Sequence, residues 1–171
     1  YRAKFGAEIP VDVWNVHAFI LREERDSWGV DIPPGMNVDQ GKLYEIADHN
    51  NMAIFRQQII DFRRWMAERG LRDKPLIVTE YGILMPAEYG FPPAVVSDFL
   101  VNTFDFFLTA RDPELGYPAD DNRLVQAFNW YSVADKKDSP NSYPTGNLFD
   151  PETRNVSPVG ETFKAYVSGL R

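Results

Sequence analysis

Cysteine is absent from this 171-residue chain, which excludes disulfides, thiolate nucleophiles and Cys-based zinc sites. Histidine is nearly absent too: His17 and His49 are the only imidazoles, so a His-rich metal centre is not expected. Basic charge is scarce. Lys plus Arg total 18 against 25 for Asp plus Glu, a formal net charge of -7, and no Lys/Arg cluster stands out. Such a chain repels phosphate backbones, so nucleic acid is not an expected partner. No apolar run reaches about 18 residues, so neither membrane insertion nor a signal peptide is read from the sequence. There is no internal repeat and no low-complexity segment.

What remains is a soluble globular composition, 44% hydrophobic and 25% charged, of a length suited to one domain or a piece of a larger one. Aromatic residues reach 14%, a surplus for which sugar-binding clefts are one use. The first residue is Tyr1 rather than Met. Tyr1 to Gly6 reads as the last turn of a helix with Gly6 as a left-handed cap, so the chain is expected to be a fragment.

Three strand-like runs alternate with helical patterns. The first strand is expected over Val11–Phe19, β-branched and aromatic. It is followed by a long polar loop from Arg22 to about Asp48, with a Pro33-Pro34-Gly35 turn. Met52, Phe55, Ile59, Phe62 and Met66 recur at spacings of three and four, the apolar face of a helix. Asp48 or Asn50 is the expected cap, with Arg69 in the last turn and Gly70 at the end. Leu76–Gly82 reads as a strand nearly free of polar residues until its last positions, as in parallel strands buried on both faces. A helix from about Ala94 to Ala110 should bury Val95, Phe99, Leu100, Phe104, Phe107 and Leu108. Leu124–Tyr131 is the third strand, Ser132–Pro158 a loop, and roughly Val159–Ser168 a closing helix.

The order β-α-β-α-β-α calls for parallel strands joined by right-handed crossovers. An open doubly wound sheet and a closed (β/α)8 barrel both use it. His17, Glu80 and Trp130 fall at the C-terminal ends of the three strands, where barrel enzymes carry their catalytic groups. A nucleotide-binding open sheet would want a Gly-rich turn after its first strand, and neither Gly-x-Gly-x-x-Gly nor a P-loop is present. The expected fold is therefore α/β, a partial (β/α)8 barrel.

Glu80 is the central residue. A carboxylate closing the apolar run Leu76-Ile77-Val78 is costly to desolvate without a partner or a purpose. Strict alternation would set Leu76, Val78 and Glu80 on one face, with Glu80 in the barrel mouth. A Glu paired to a buried Arg, or capping a neighbouring helix, is the structural alternative.

Thr79-Glu80-Tyr81-Gly82 after a buried strand resembles the seventh-strand motif of the large clan of retaining (β/α)8 glycoside hydrolases that includes many cellulases, mannanases and xylanases. Val13–Phe19 resembles the sixth strand of that clan, where a His-x-Tyr pair lines the cleft. Phe128-Asn129-Trp130 resembles the eighth, where a Trp often floors the subsite nearest the scissile bond. Leu148-Phe149-Asp150 and Pro158-Val159-Gly160 resemble its last loop and closing helix. The likeness covers nearly the whole chain and implies strands 6 to 8 of a barrel, with Glu80 as the nucleophile. It implies no cofactor or metal, an oligo- or polysaccharide substrate, and a missing N-terminal half of the same barrel as the structural partner. Bacterial enzymes of this sort are often exported, with which the lack of cysteine is compatible.

The sequence departs from the clan in two places. Phe19 stands where Tyr is common, and no Asn-Glu-Pro, the usual setting of the fourth-strand acid/base, exists. A retaining enzyme needs two carboxyl groups about 5–5.5 Å apart, one attacking the anomeric carbon and one serving the leaving oxygen. Glu45, Glu88 and Asp135 lie on expected loops with nothing in the sequence to position them as the second. The chain is thus expected to supply half of a catalytic pair. Its outer strands would be unpaired edges, so in isolation it should aggregate, dimerise through its inner face or fold loosely.

Around Glu80, His17 shares a strand face with Asn15 and Phe19 and is a candidate to bond a sugar hydroxyl or orient Glu80, a satisfied structural histidine being the alternative. Trp130 is a candidate stacking platform, or else packs under the closing helix. Trp14 and Asn129 are one step out of phase and read as mainly structural, or as supports behind the residues that meet the ligand. Trp28, on the long loop, either marks a binding surface or pins its own loop. Tyr81 and Asp135 at the strand mouths complete the candidate set. The acidic patches Asp120-Asp121 and Asp135 to Asp138 lack calcium-loop spacing and read as solvated turns. Two other classes compete with a hydrolase: a saccharide-binding protein without catalysis on the same scaffold, and an open-sheet module for another small ligand.

Overall fold

The computed structural model describes residues 1–7, 9–136 and 143–170. One helical turn, α1 (Arg2–Phe5), ends at Gly6 in the left-handed conformation, φ 66°. There follow β1 (Trp14–His17), α2 (Met52–Ala67), β2 (Leu76–Tyr81), α3 (Pro93–Thr109), β3 (Ala127–Trp130) and α4 (Pro158–Gly169). The strands form one parallel three-stranded sheet in the order β1-β2-β3, so the described fold is mixed α/β. β1 and β3 are shorter than their apolar runs suggest. A strand extends only as far as a neighbour offers main-chain partners, and β2 presents six residues to both.

The helices match their sequence patterns closely, with two corrections. Asn51, not Asp48 or Asn50, caps α2; its Oδ1 accepts from the N–H groups of Ala53 and Ile54 at 3.0 and 3.3 Å. Asp48 instead closes a reciprocal capping box with Glu45 around a short 3-10 turn, Ile46–Asp48. In α3, Val96 and Thr103 are buried where Val95 and Leu108 are only half-buried.

One layer of aromatic packing joins sheet and helices. Phe55 of α2 lies with its ring centroid 5.4 to 5.6 Å from Phe99, Phe107 and Tyr81. α4 closes over α3 through Phe104, whose ring meets Phe163 and Tyr166 at 5.7 and 5.2 Å. Leu76, Val78 and Tyr81 of β2 are fully buried against this layer.

The alternation of β2 breaks after Val78. Val16 pairs with Val78 but His17 pairs with Glu80, and on the other side the register shifts between Val78 and Tyr81. An extra residue of this kind is a β-bulge, and it reverses the facing of everything after it. Glu80 therefore does not share the face of Leu76 and Val78. It lies on the opposite, open face, where Asn15 and His17 of β1 and Ala127 and Asn129 of β3 are exposed.

The N-terminal end of the sheet is held by buried arginine. Arg63 of α2 is fully buried, and donates to the main-chain oxygens of Leu115 (2.9 Å), Lys74 (3.0 Å) and Arg72 (3.3 Å). Burial, with a smaller contribution from the nearby Arg72 cation, lowers its pKa to about 10. Gln126 bridges the starts of β2 and β3, its Oε1 accepting from Leu76 N–H at 2.8 Å. Among the described residues no helix is long and apolar enough to cross a membrane.

Candidate functional site

The C-terminal ends of the strands are stitched together at Glu80 and Tyr81. Ala18 N–H donates to Glu80 O, and Tyr131 N–H to Tyr81 O, both at 2.8 Å. Glu80 Oε2 lies 3.4 Å from His17 Nδ1, with side chains 41% and 56% exposed. A contact this open contributes at most about 1 kcal/mol, so the carboxylate is not explained as a stabilising element. It is a half-exposed oxygen acid, aimed by two flanking strands, with an imidazole at one of its oxygens.

Phe19 continues the open face of β1 and is half-buried. Its ring meets Tyr131 edge-on, centroids 6.0 Å apart. Among the described residues β1 and β3 each pair with β2 alone, so this contact crosses the end of β2 and forms an aromatic wall at the strand end that carries Glu80. Tyr131 donates its hydroxyl to Asp135 Oδ2 at 2.6 Å. Asp135 is itself fixed: its N–H donates to Asn147 Oδ1 at 2.9 Å, and buried Asn147 returns Nδ2 to Asp135 O at 2.7 Å. The loop acid that the sequence left unpositioned is thus held in place. Gly82 and Gly146 make room for this strand end, since a Cβ on either would meet Tyr131 O at 2.6 or 2.5 Å.

Two candidates belong to the core rather than to the site. Trp130 is 8% exposed, its indole N–H donates to Gly146 O at 2.6 Å, and its ring stands perpendicular to Tyr81 at 5.4 Å. It packs toward the helices, so it offers no face to a sugar. Tyr81 is fully buried between Phe55, Phe107 and Trp130, and burial pushes its phenol well above the ordinary value. The sequence reading followed strict alternation and missed Tyr131. Its signal was there: with Trp130 in the core, Ala127, Asn129 and Tyr131 share the other parity.

Asn15 is exposed beside His17, and Trp28 is half-buried on the first loop, packed against the core. Asp120 accepts from Arg123 and Gln126 and Asp121 from Arg111, so that acidic patch is tied into its own turn. Asp138 lies outside the described residues. Ser157 caps α4 through a bond from Gly160 N–H at 2.9 Å.

His49, the other imidazole, is fully buried behind the site. Its Nε2 accepts from Leu84 N–H at 2.9 Å and its Nδ1 lies 2.6 Å from Ile20 O, so the neutral ring carries its proton on Nδ1. Burial lowers its pKa, opposed by the bond to Ile20. It joins the loop after β1 to the loop after β2.

Comparison with protein-family models, curated proteins and solved structures finds no match to this chain.

Proposed function

We propose that this chain is the last three β/α units of a (β/α)8 retaining glycoside hydrolase, and that Glu80 is its nucleophile. The observation that carries this is a half-exposed carboxylate at the C-terminal end of the middle parallel strand, 3.4 Å from an imidazole, on the face the helices leave open. In the proposed reaction a Glu80 oxygen attacks the anomeric carbon, and the bond to the leaving oxygen breaks as that oxygen takes a proton. Water then releases the sugar from the glycosyl ester. The acid/base that protonates the leaving group would come from the N-terminal half of the same barrel. His17 would keep Glu80 aimed, Asn15 would face the sugar, and the Phe19–Tyr131 wall would bound the reacting ring.

This chain alone is an incomplete barrel and is expected to be inactive, so the test uses the complete protein; an activated leaving group needs no general acid, so the nucleophile is read there independently of it. Incubation with 2,4-dinitrophenyl 2-deoxy-2-fluoroglycosides of several neutral sugars should add one fluoroglycosyl unit to the intact mass, on the peptide that contains Glu80. Glu80→Gln should stay unlabelled. No adduct with any sugar, or an adduct that survives Glu80→Gln, would refute the proposal. Saccharide binding without an adduct would favour a non-catalytic carbohydrate-binding protein.

A further inference from the structure

Beyond the strand ends, a cleft of about 570 Å³ opens between three loops, and each loop brings one aromatic ring. Trp28 comes from the loop after β1, Tyr89 from the loop after β2 and Tyr143 from the loop after β3. Leu21, Ile46 and Leu84 line it between them. Tyr89 is 52% exposed and its ring centroid lies 6.3 Å from that of Tyr143.

The Trp28 side of the cleft and the Leu84 segment beneath it are tied down. The turn that carries Trp28 is pinned on both sides, since Val30 N–H donates to Arg22 O at 2.9 Å and Arg22 reaches Glu24 and Glu45 at 2.6 and 2.7 Å. Gly29 beside it has φ 99°, and a Cβ there would run into the Arg22 carbonyl. From behind, His49 fixes Leu84 to Ile20. A ring carried on such a turn, as Trp28 is, loses little freedom on binding, the condition under which an aromatic surface binds well.

The lining also defines the ligand. Among the described residues no charged side chain faces the cleft; hydroxyls on Ser27, Tyr89 and Tyr143 are its polar groups. Apolar ring faces with hydroxyls at their edge complement a neutral pyranose, which has C–H faces and a hydroxyl rim. A uronate or sulfate would bring a charge that no cation among the described lining residues receives. Leu84 and Leu21 stand four residues beyond Glu80 and His17, so the cleft begins within about 14 Å of that pair.

We infer that the Trp28–Tyr89–Tyr143 cleft is a binding subsite for a neutral oligosaccharide chain extending away from Glu80. This deepens the glycoside hydrolase proposal and rests on it for the place of cleavage only. The preferred substrate is then a neutral chain of several units rather than a uronic-acid polymer.

The test is calorimetric titration of the full chain with neutral cello-, manno- and xylo-oligosaccharide ladders and with oligogalacturonates. One neutral ladder should bind more tightly as it lengthens, and the oligogalacturonates should not bind. Trp28→Ala and Tyr89→Ala should each weaken the longest oligomer about tenfold, the scale of one aromatic anchor, with Trp28→Phe restoring most of the loss. Tyr89 is exposed, so its variant reports on the cleft even if Trp28→Ala unfolds the loop. Length-independent binding, or binding indifferent to both alanine variants, overturns the inference and leaves the nucleophile assignment standing if labelling persists. Length- and Tyr89-dependent binding without labelling supports the cleft and removes the nucleophile.

Discussion

The two ends of the parallel sheet use polar groups in opposite ways. At the N-terminal end, Arg63 is fully buried and bonded to three main-chain oxygens, while Arg72 reaches Gly116 O, Pro113 O and Asn122. Those groups have their partners inside the protein, and their work is to close the gaps where helices and loops feed into strands. At the C-terminal end, Glu80 and His17 face each other and solvent at 3.4 Å, with capacity left for a ligand. Burial and satisfaction mark structural polar groups. Exposure combined with rigid placement marks groups available for chemistry.

Substitutions that exchange the roles of the two ends test this division. The largest effect belongs to Glu80→Gln, which should abolish covalent labelling yet change the unfolding free energy by no more than about 0.5 kcal/mol in urea melts. Arg63→Ala should do the reverse. It leaves three main-chain oxygens without their donor as well as a cavity, for about 3–5 kcal/mol of lost stability. Labelling of Glu80 in the still-folded protein should proceed at an unchanged rate. Lost labelling below the unfolding transition would mean that the two ends are not separable.

His49 lies between these extremes, a buried group that serves the open end. Its folded-state pKa is lowered, whereas the unfolded imidazole titrates near about 6.5. As pH drops below that value the unfolded chain takes up a proton that the folded protein resists, so stability falls; above it the contribution is complete. His49→Phe should remove this part of the acid slope, seen in urea midpoints between pH 5 and 8. It should also cost about 1–3 kcal/mol at neutral pH, because Leu84 N–H and Ile20 O lose their partner. An unchanged slope would assign the acid sensitivity to carboxylates elsewhere. The smallest effect is that of Tyr131→Phe, which removes the donor to the Asp135 carboxylate and should cost about 1 kcal/mol. Slower labelling of Glu80 in that variant would show that the aromatic wall supports the site as well as bounding it.

Much of the scaffold was legible in local pattern. The three- and four-residue spacing of Phe55, Ile59 and Met66 located α2, the run Leu76–Val78 located β2, and Gly6 ended its helical turn as a left-handed residue. These depend on contacts a few residues apart or on the backbone freedom of one residue, which a sequence records directly. The α2 cap was missed by one residue because Asp48, Asn50 and Asn51 are all competent oxygens. Only the preceding 3-10 turn, which engages Asp48, decides among them.

By itself, the sequence determined the α/β order of elements, the apolar faces of the helices and the placing of Glu80 and His17 at strand ends. The tertiary structure alone decided where the side chains of the last strand residues go. The register shift against β1 and β3 sends Glu80 to the open face and Tyr81 into the core, and Trp130 and Tyr131 divide in the same way. It also buried Arg63, which lies on the apolar side of α2 between Ile59 and Met66 and is accepted there only because distant main-chain oxygens meet it, and gathered Trp28, Tyr89 and Tyr143 into one cleft. The reason is range. Periodicity is a property of one segment, whereas bulges, buried cations and multi-loop clefts are settled by hydrogen bonds and packing between segments far apart in the chain.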